Sequence, residues 1–187
     1  MNSKAKKITI TAMICALAYV MVAFCRIHIV LFLEYEPKDV MITLGGFMGG
    51  PVTALLASAI VSFIEMVTIS EDGILGLVMN VLSTCSFACT ASFIYKRKRT
   101  FSGAAAGLAL GTVFMVVLML LWNYLITPVY MGVPREAVGE LLIPAFLPFN
   151  LLKGGLNTGL TLLLYRPVMK TYSDHIEESF TKTDMRK

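Results

Sequence analysis

Pro148-Phe149-Asn150-Leu151-Leu152-Lys153-Gly154-Gly155-Leu156-Asn157, running on into Thr161-Leu162-Leu163-Leu164-Tyr165, sets a lysine inside an apolar stretch. At 3.6 residues per turn Asn150, Lys153 and Asn157 fall on one helix face, so a cation and two amides look together toward whatever that helix packs against. A charge at the centre of a membrane helix costs roughly 2.5–3.5 kcal/mol on insertion scales and usually marks a ligand or ion site. This face is the first candidate for function.

The rest of the chain places that helix in a membrane. Apolar residues make up 57% of the 187 and charged residues 15%, where a soluble domain carries about a quarter charged. The mean hydropathy is +0.75. One domain over 1–187 is expected. The run from Ile8 to Cys25 follows Lys4, Lys6 and Lys7 as a signal peptide would, but no small-x-small site precedes Arg26 and further spans follow at once, so it reads as a retained helix.

Spans of about 20 apolar residues give helix 1 at 8–25, a short glycine-broken helix 2 at 37–49, and helix 3 at 51–69. Helix 4 follows at 74–95, helix 5 at 102–127 and helix 6 at 140–168. The fold class is therefore all-α, a polytopic membrane protein of six transmembrane helices. Lys4, Lys6, Lys7, Lys96-Arg97-Lys98-Arg99, Arg166 and Lys170 fall on one side of that plan. Arg26, Lys38 and Arg135 lie on the other among Glu34, Glu36, Asp39, Glu71, Asp72, Glu136 and Glu140. The positive-inside rule puts both termini in the cytoplasm. The basic run at 96–99 reads as a topology anchor among lipid head groups rather than a nucleic-acid site, and 171–187 as a short charged cytoplasmic tail with a frayed end.

Two outer connections, 26–36 and 128–139, are rich in apolar and aromatic residues. They either fold over the bundle as a lid on an outward-facing pocket or sit in the interface. Helix 3 carries Ser58, Ser62 and Glu65, helix 4 Asn80, Ser83 and Thr84, and helix 5 Asn123 beside Trp122 and Tyr124. Singly, a membrane asparagine or serine more often bonds a neighbouring helix than a substrate. Glu65, Asn80, Asn123, Asn150 and Lys153 nevertheless share the outer half of four helices, and that coincidence of depth points to a substrate site.

Several chemistries find no support. No G-x-x-x-x-G-K-[ST] occurs, so the chain is not expected to hydrolyse ATP itself. His28 and His175 lie in a loop and the tail, leaving no constellation for a metalloenzyme or intramembrane protease. Cys85 and Cys89 share a face without further ligands, and Cys15 and Cys25 read as reduced and buried. Ala12-x-x-x-Ala16 and Gly103-x-x-x-Gly107-x-x-x-Gly111 are small-residue faces for close helix approach.

The chain resembles the substrate-binding S components of energy-coupling factor (ECF) transporters, and most the riboflavin-specific branch. The resemblance covers residues 8–168. It rests on Ala12-x-x-x-Ala16, Glu36-Pro37-Lys38-Asp39 leading into Gly45-Gly46-Phe47 and Gly50-Pro51, Asn80, Leu121-Trp122-Asn123-Tyr124, and Pro148-Phe149-Asn150-Leu151-Leu152-Lys153-Gly154. It implies a bacterial plasma-membrane protein that binds a vitamin at its extracellular face under the loop between helices 1 and 2. It further implies docking through Ala12 and Ala16 on a transmembrane coupling protein driven by two cytoplasmic ATPase subunits. On this resemblance Asn123, Asn150 and Lys153 bond the flavin and Asn80 matches a helix 4 asparagine; riboflavin is cargo, and no resident cofactor is implied. Trp122, Tyr124, Phe146 and Phe149 could cover the flavin ring faces. Pantothenate, whose carboxylate suits Lys153, is the alternative vitamin. A self-contained secondary transporter using Glu65 as proton carrier, or a membrane assembly protein, is the alternative class.

Overall fold

A computed structural model describes the backbone of residues 3–30, 33–70 and 72–184, and the side chains of those residues outside 3–4, 6–7, 28, 30, 130 and 174–184. Helix α1 (Ser3–Cys25) leads into strands β1 (Ile27–Val30) and β2 (Leu33–Tyr35), which pair antiparallel. Then come α2 (Lys38–Gly49), α3 (Pro51–Thr68), α4 (Gly73–Arg97), α5 (Phe101–Met131), α6 (Arg135–Leu141), a π turn at Leu142–Phe146, and α7 (Leu147–Asp184).

Contacts fix the helix directions. Tyr19 Oη donates to Thr68 Oγ1 at 3.0 Å, so α1 and α3 end together. Asn80 Nδ2 reaches Glu65 at 3.2 Å and Cys89 Sγ reaches the Pro51 carbonyl at 3.6 Å, so α4 runs against α3. Asn157 meets Asp39 at 3.0 Å and Tyr172 meets the Met48 carbonyl at 3.4 Å, so α7 runs alongside α2.

Five of these segments are long and apolar enough to cross a membrane: Ile8–Cys25, Pro51–Thr68, Gly73–Arg97, Phe101–Val129 and Arg135–Ser173. Outward-facing Phe63, Val67, Val113, Val117 and Leu163 are exposed, the surface expected against lipid tails. The sixth expected span, α2, has 12 residues, about 18 Å of helix against a hydrocarbon core of about 30 Å. It is an interior strut: Val40, Ile42, Leu44 and Phe47 are all buried. Its glycine pair is what lets neighbours close on it, since a Cβ at Gly46 would stand 2.0 Å from Ser92 Oγ and one at Gly45 2.8 Å from Ile14. Gly50, at φ 94°, makes the reversal into α3, with Pro51 in the first helical turn.

Other expectations change. The first outer connection is a β-hairpin, so the fold is not wholly α. The second shrinks to residues 132–134, because α5 continues to Met131 and ends on Gly132 in the left-handed conformation (φ 65°). Helix 6 begins as α6 and passes through the π turn, where Pro144 sits and Pro148 follows. A proline offers no N–H and crowds the carbonyl four residues back, and a wider turn absorbs both defects. The tail stays helical to Asp184. Cys25 is exposed rather than buried.

The glycine stripe of α5 serves internal packing. A Cβ at Gly107 would lie 2.7 Å from the Ala91 carbonyl oxygen of α4, and one at Gly111 2.6 Å from that of Phe87. Because backbone must move to admit it, Gly111→Ala is expected to destabilise by about 1–3 kcal/mol. Gly159→Ala meets open space and should gain up to about 1 kcal/mol from helix propensity. Thermal unfolding of both variants in detergent checks this; equal melting temperatures would show that α4 and α5 are not in close backbone contact.

Candidate substrate cleft and its ion-pair floor

At the hairpin end of the bundle, Asn80 of α4, Asn123 of α5, and Asn150 and Lys153 of α7 line one cleft with Arg26, Glu36 and Phe149. Four of the five side chains singled out from sequence are thus brought to one place. Asn123 and Asn150 are 1% and 3% exposed. Each turns its Nδ2 back to its own helix, to the Met119 carbonyl at 2.7 Å and the Phe146 carbonyl at 2.8 Å, while Thr127 donates to Asn123 Oδ1 at 2.9 Å. These bonds hold the amide planes still.

Glu65, the fifth, does not line the cleft. It lies fully buried behind it. Its Oε1 accepts from Asn80 Nδ2 and from Arg26 Nη2, each at 3.2 Å, and its Oε2 pairs with Lys38 Nζ. Lys38 also pairs with Glu36 at 2.6 Å, and Arg26 donates to Glu36 Oε1 through Nε at 3.1 Å and Nη2 at 3.0 Å. Arg26 further pairs with Glu34 and reaches the Ile69 carbonyl at 3.4 Å. The result ties the hairpin to the start of α2, the end of α3 and the first turns of α4. Burial by itself would push the Glu36 carboxyl up, but the Lys38 ammonium beside it, with help from Glu65 and Lys153, holds it well below the usual carboxylate range. Tyr35 goes the other way: burial, reinforced by Asp39, pushes its hydroxyl up to about 12, so it stays neutral.

Asp39 forms a second knot. Fully buried in the first turn of α2, it accepts from Thr84 Oγ1 at 2.7 Å through Oδ1 and from Asn157 Nδ2 at 3.0 Å through Oδ2, and Lys153 Nζ stands 3.7 Å from Oδ2. Sequence reasoning put Arg26, Glu36, Lys38 and Asp39 among outer charges; the structure buries all but Arg26, which is partly covered. The signal that could have found them is that Lys38 and Asp39 already fell inside the range assigned to helix 2.

The aromatic residues divide. Phe149 lines the cleft, but Trp122 faces a shallow pocket beside Leu75 and Ile126. Tyr124 is exposed beneath the Arg135 guanidinium, 5.7 Å from its ring centre. Phe146 is buried in an apolar cluster with Leu33, Val138 and Phe149, on which the hairpin rests. The first connection contributes Arg26, Leu33, Glu34 and Glu36 to the lining of the cleft, with Leu33 as its apolar foot. The cleft encloses about 30 Å³, room for about two waters, whereas ligand pockets run to roughly 300–1,000 Å³. Toward the other end of α4 and α7, Tyr95 and Tyr165 join hydroxyls at 3.1 Å, with the Phe47 ring tilted against Tyr95 at 4.4 Å between ring centres.

Ala12 and Ala16 are both exposed. They line a groove of about 890 Å³ between α1 and α3, with Gly50, Leu56 and Ile60 across from them.

The family model of the ECF transporter substrate-specific component matches residues 6–165. The chain belongs to this family. It is a membrane protein that works with an energising module, as S components do. The Riboflavin transporter FmnP of Bacillus subtilis (strain 168) is 27% identical over 162 residues, 81% of this chain and 85% of that protein. The Riboflavin transporter RibU of Staphylococcus aureus (strain TCH60) is 27% identical over 170 residues, 86% of this chain and 89% of that one. A solved structure described as the S component of a bacterial ECF transporter superposes with a TM-score of 0.77 at 26% identity, covering 90% of this chain and 98% of its own.

Proposed function

We propose that this S component captures riboflavin at the outer face of a bacterial plasma membrane and hands it inward when docked on its energising module. The observation that carries the choice of vitamin is the charge state of the cleft. Beside three asparagines the lining sets two cations, Arg26 and Lys153, against the carboxylates of Glu34, Glu36 and Asp72, and Lys153 already faces the Asp39 carboxylate at 3.7 Å. A ligand carboxylate such as that of pantothenate would have to compete with Asp39 for this cation. A neutral isoalloxazine ring, with carbonyl and ring-nitrogen acceptors and one N–H donor, needs only hydrogen bonds, which amides match both ways and Lys153 can supply. The names of the two relatives support the same reading.

The cleft is too small for a flavin as it stands, so entry requires the hairpin to swing away from Leu33's apolar seat. The basic run Lys96-Arg97-Lys98-Arg99 lies at the opposite end of α4 from Asn80, which supports cytoplasmic termini and an outward-facing cleft. The exposed Ala12 and Ala16 groove is the face for a transmembrane coupling protein, itself driven by two cytoplasmic ATPase subunits.

Titrating free riboflavin with purified protein and following its fluorescence should give quenching that saturates at roughly 1:1. No quenching at micromolar protein would sink the flavin assignment. Lys153→Met keeps the length and apolar fit but removes one charged hydrogen bond worth about 1.5–3 kcal/mol. It should therefore weaken binding roughly 10- to 150-fold. Unchanged affinity would make Lys153 a structural anchor instead of a ligand contact.

A further inference from the structure

Asp39 lies outside the set of residues that line the cleft, yet it is the acceptor on which two cleft-bearing helices converge. Its Oδ1 takes the Thr84 hydroxyl of α4 and its Oδ2 takes the Asn157 amide of α7, with the Lys153 ammonium one turn away on the same helix face. All three neighbours are themselves buried, Thr84 and Asn157 at 0% and Lys153 at 5% exposed. A lysine side chain has a flexible four-carbon stem and would otherwise sample many positions. Here Thr84 and Asn157 fix the carboxylate from both sides, and the carboxylate draws the ammonium to the cleft edge.

We infer that Asp39 is the positioning residue for Lys153, setting where that cation stands at the cleft edge. The inference rests on the riboflavin reading given above. Its distinguishing property is that Asp39 acts through Lys153, so its contribution to binding should disappear when Lys153 is gone. A residue that merely held helices together would matter equally in both backgrounds.

The test is a double-mutant cycle read by riboflavin fluorescence in detergent, using wild type, Asp39→Asn, Lys153→Met and the double variant. Asp39→Asn should weaken riboflavin binding by about tenfold when Lys153 is present and by less than about twofold in the Lys153→Met background. Thr84→Val keeps the carboxylate and the local shape while removing one hydrogen bond, so it repeats the test should Asp39→Asn fail to fold. It should cost about threefold with Lys153 in place and nothing measurable once Lys153→Met has removed the cation. Equal losses in the two backgrounds overturn the inference and make Asp39 a packing residue. Failure of wild type to bind riboflavin overturns the functional reading instead, a result the wild-type titration shows separately.

Discussion

Lys38→Met is expected to destabilise the protein by about 3–5 kcal/mol, because truncating one member of a buried ion pair leaves its partner's charge uncompensated. Lys38 is fully buried and stands between Glu36 and Glu65, both also buried. Without its ammonium the cation that the two carboxylates still share among the described residues is Arg26, which is partly exposed and already engaged by Glu34. Thermal unfolding in detergent should fall on the order of 10 °C, at roughly 2–4 °C per kcal/mol for a chain of this size. Adding Glu65→Gln to the same chain removes the orphaned charge and should restore part of the loss. A melting temperature equal to wild type in Lys38→Met would mean that this network does not hold the hairpin.

The second large effect concerns transport rather than stability. Ala12→Leu with Ala16→Leu fills the groove between α1 and α3, where both alanines are exposed. Overpacking a close helix contact costs about 1–3 kcal/mol at each site, so docking on the energising module should weaken by roughly 30-fold or more for the pair. Riboflavin binding in detergent should be unchanged while vitamin uptake by cells carrying the complete transporter collapses. Uptake equal to wild type would assign these alanines to lipid and place the partner elsewhere.

The contrast with Gly107 and Gly111 shows where sequence reading reached its limit. Both small-residue stripes follow the same spacing rule, but only tertiary structure tells that one meets the α4 backbone and the other faces outward. Asn80, Asn123, Asn150 and Lys153 were legible because helical periodicity and depth from the span ends are properties of each segment alone. Asp39 was not, since its partners Thr84, Lys153 and Asn157 lie far along the chain. The hairpin was harder to see, because Ile29-Val30-Leu31-Phe32-Leu33 is a continuous apolar run and not the apolar/polar alternation that marks a half-buried strand. Its apolar content drew the reading toward a loose lid instead. Trp122 and Tyr124 misled for a simpler reason, because neighbours of Asn123 on a helix must point elsewhere.

The shortness of α2 bears on how the protein is made. Helices α1, α3, α4 and α5 can each enter the bilayer as they emerge, but α2 is too short and too charged at its start to do so alone. Asp39 bonds Asn157, 118 residues further on, so its carboxylate has no lasting partner on that side until α7 has been synthesised. The contacts of α2 with α1, α3 and α4 can form earlier, so what α7 adds at the end is the closing of the Asp39 knot. A nascent chain halted before residue 150 would hold four inserted helices, with Lys38 already able to pair with Glu36 and Glu65 and Asp39 with Thr84, but with Oδ2 of Asp39 still without Asn157 and Lys153.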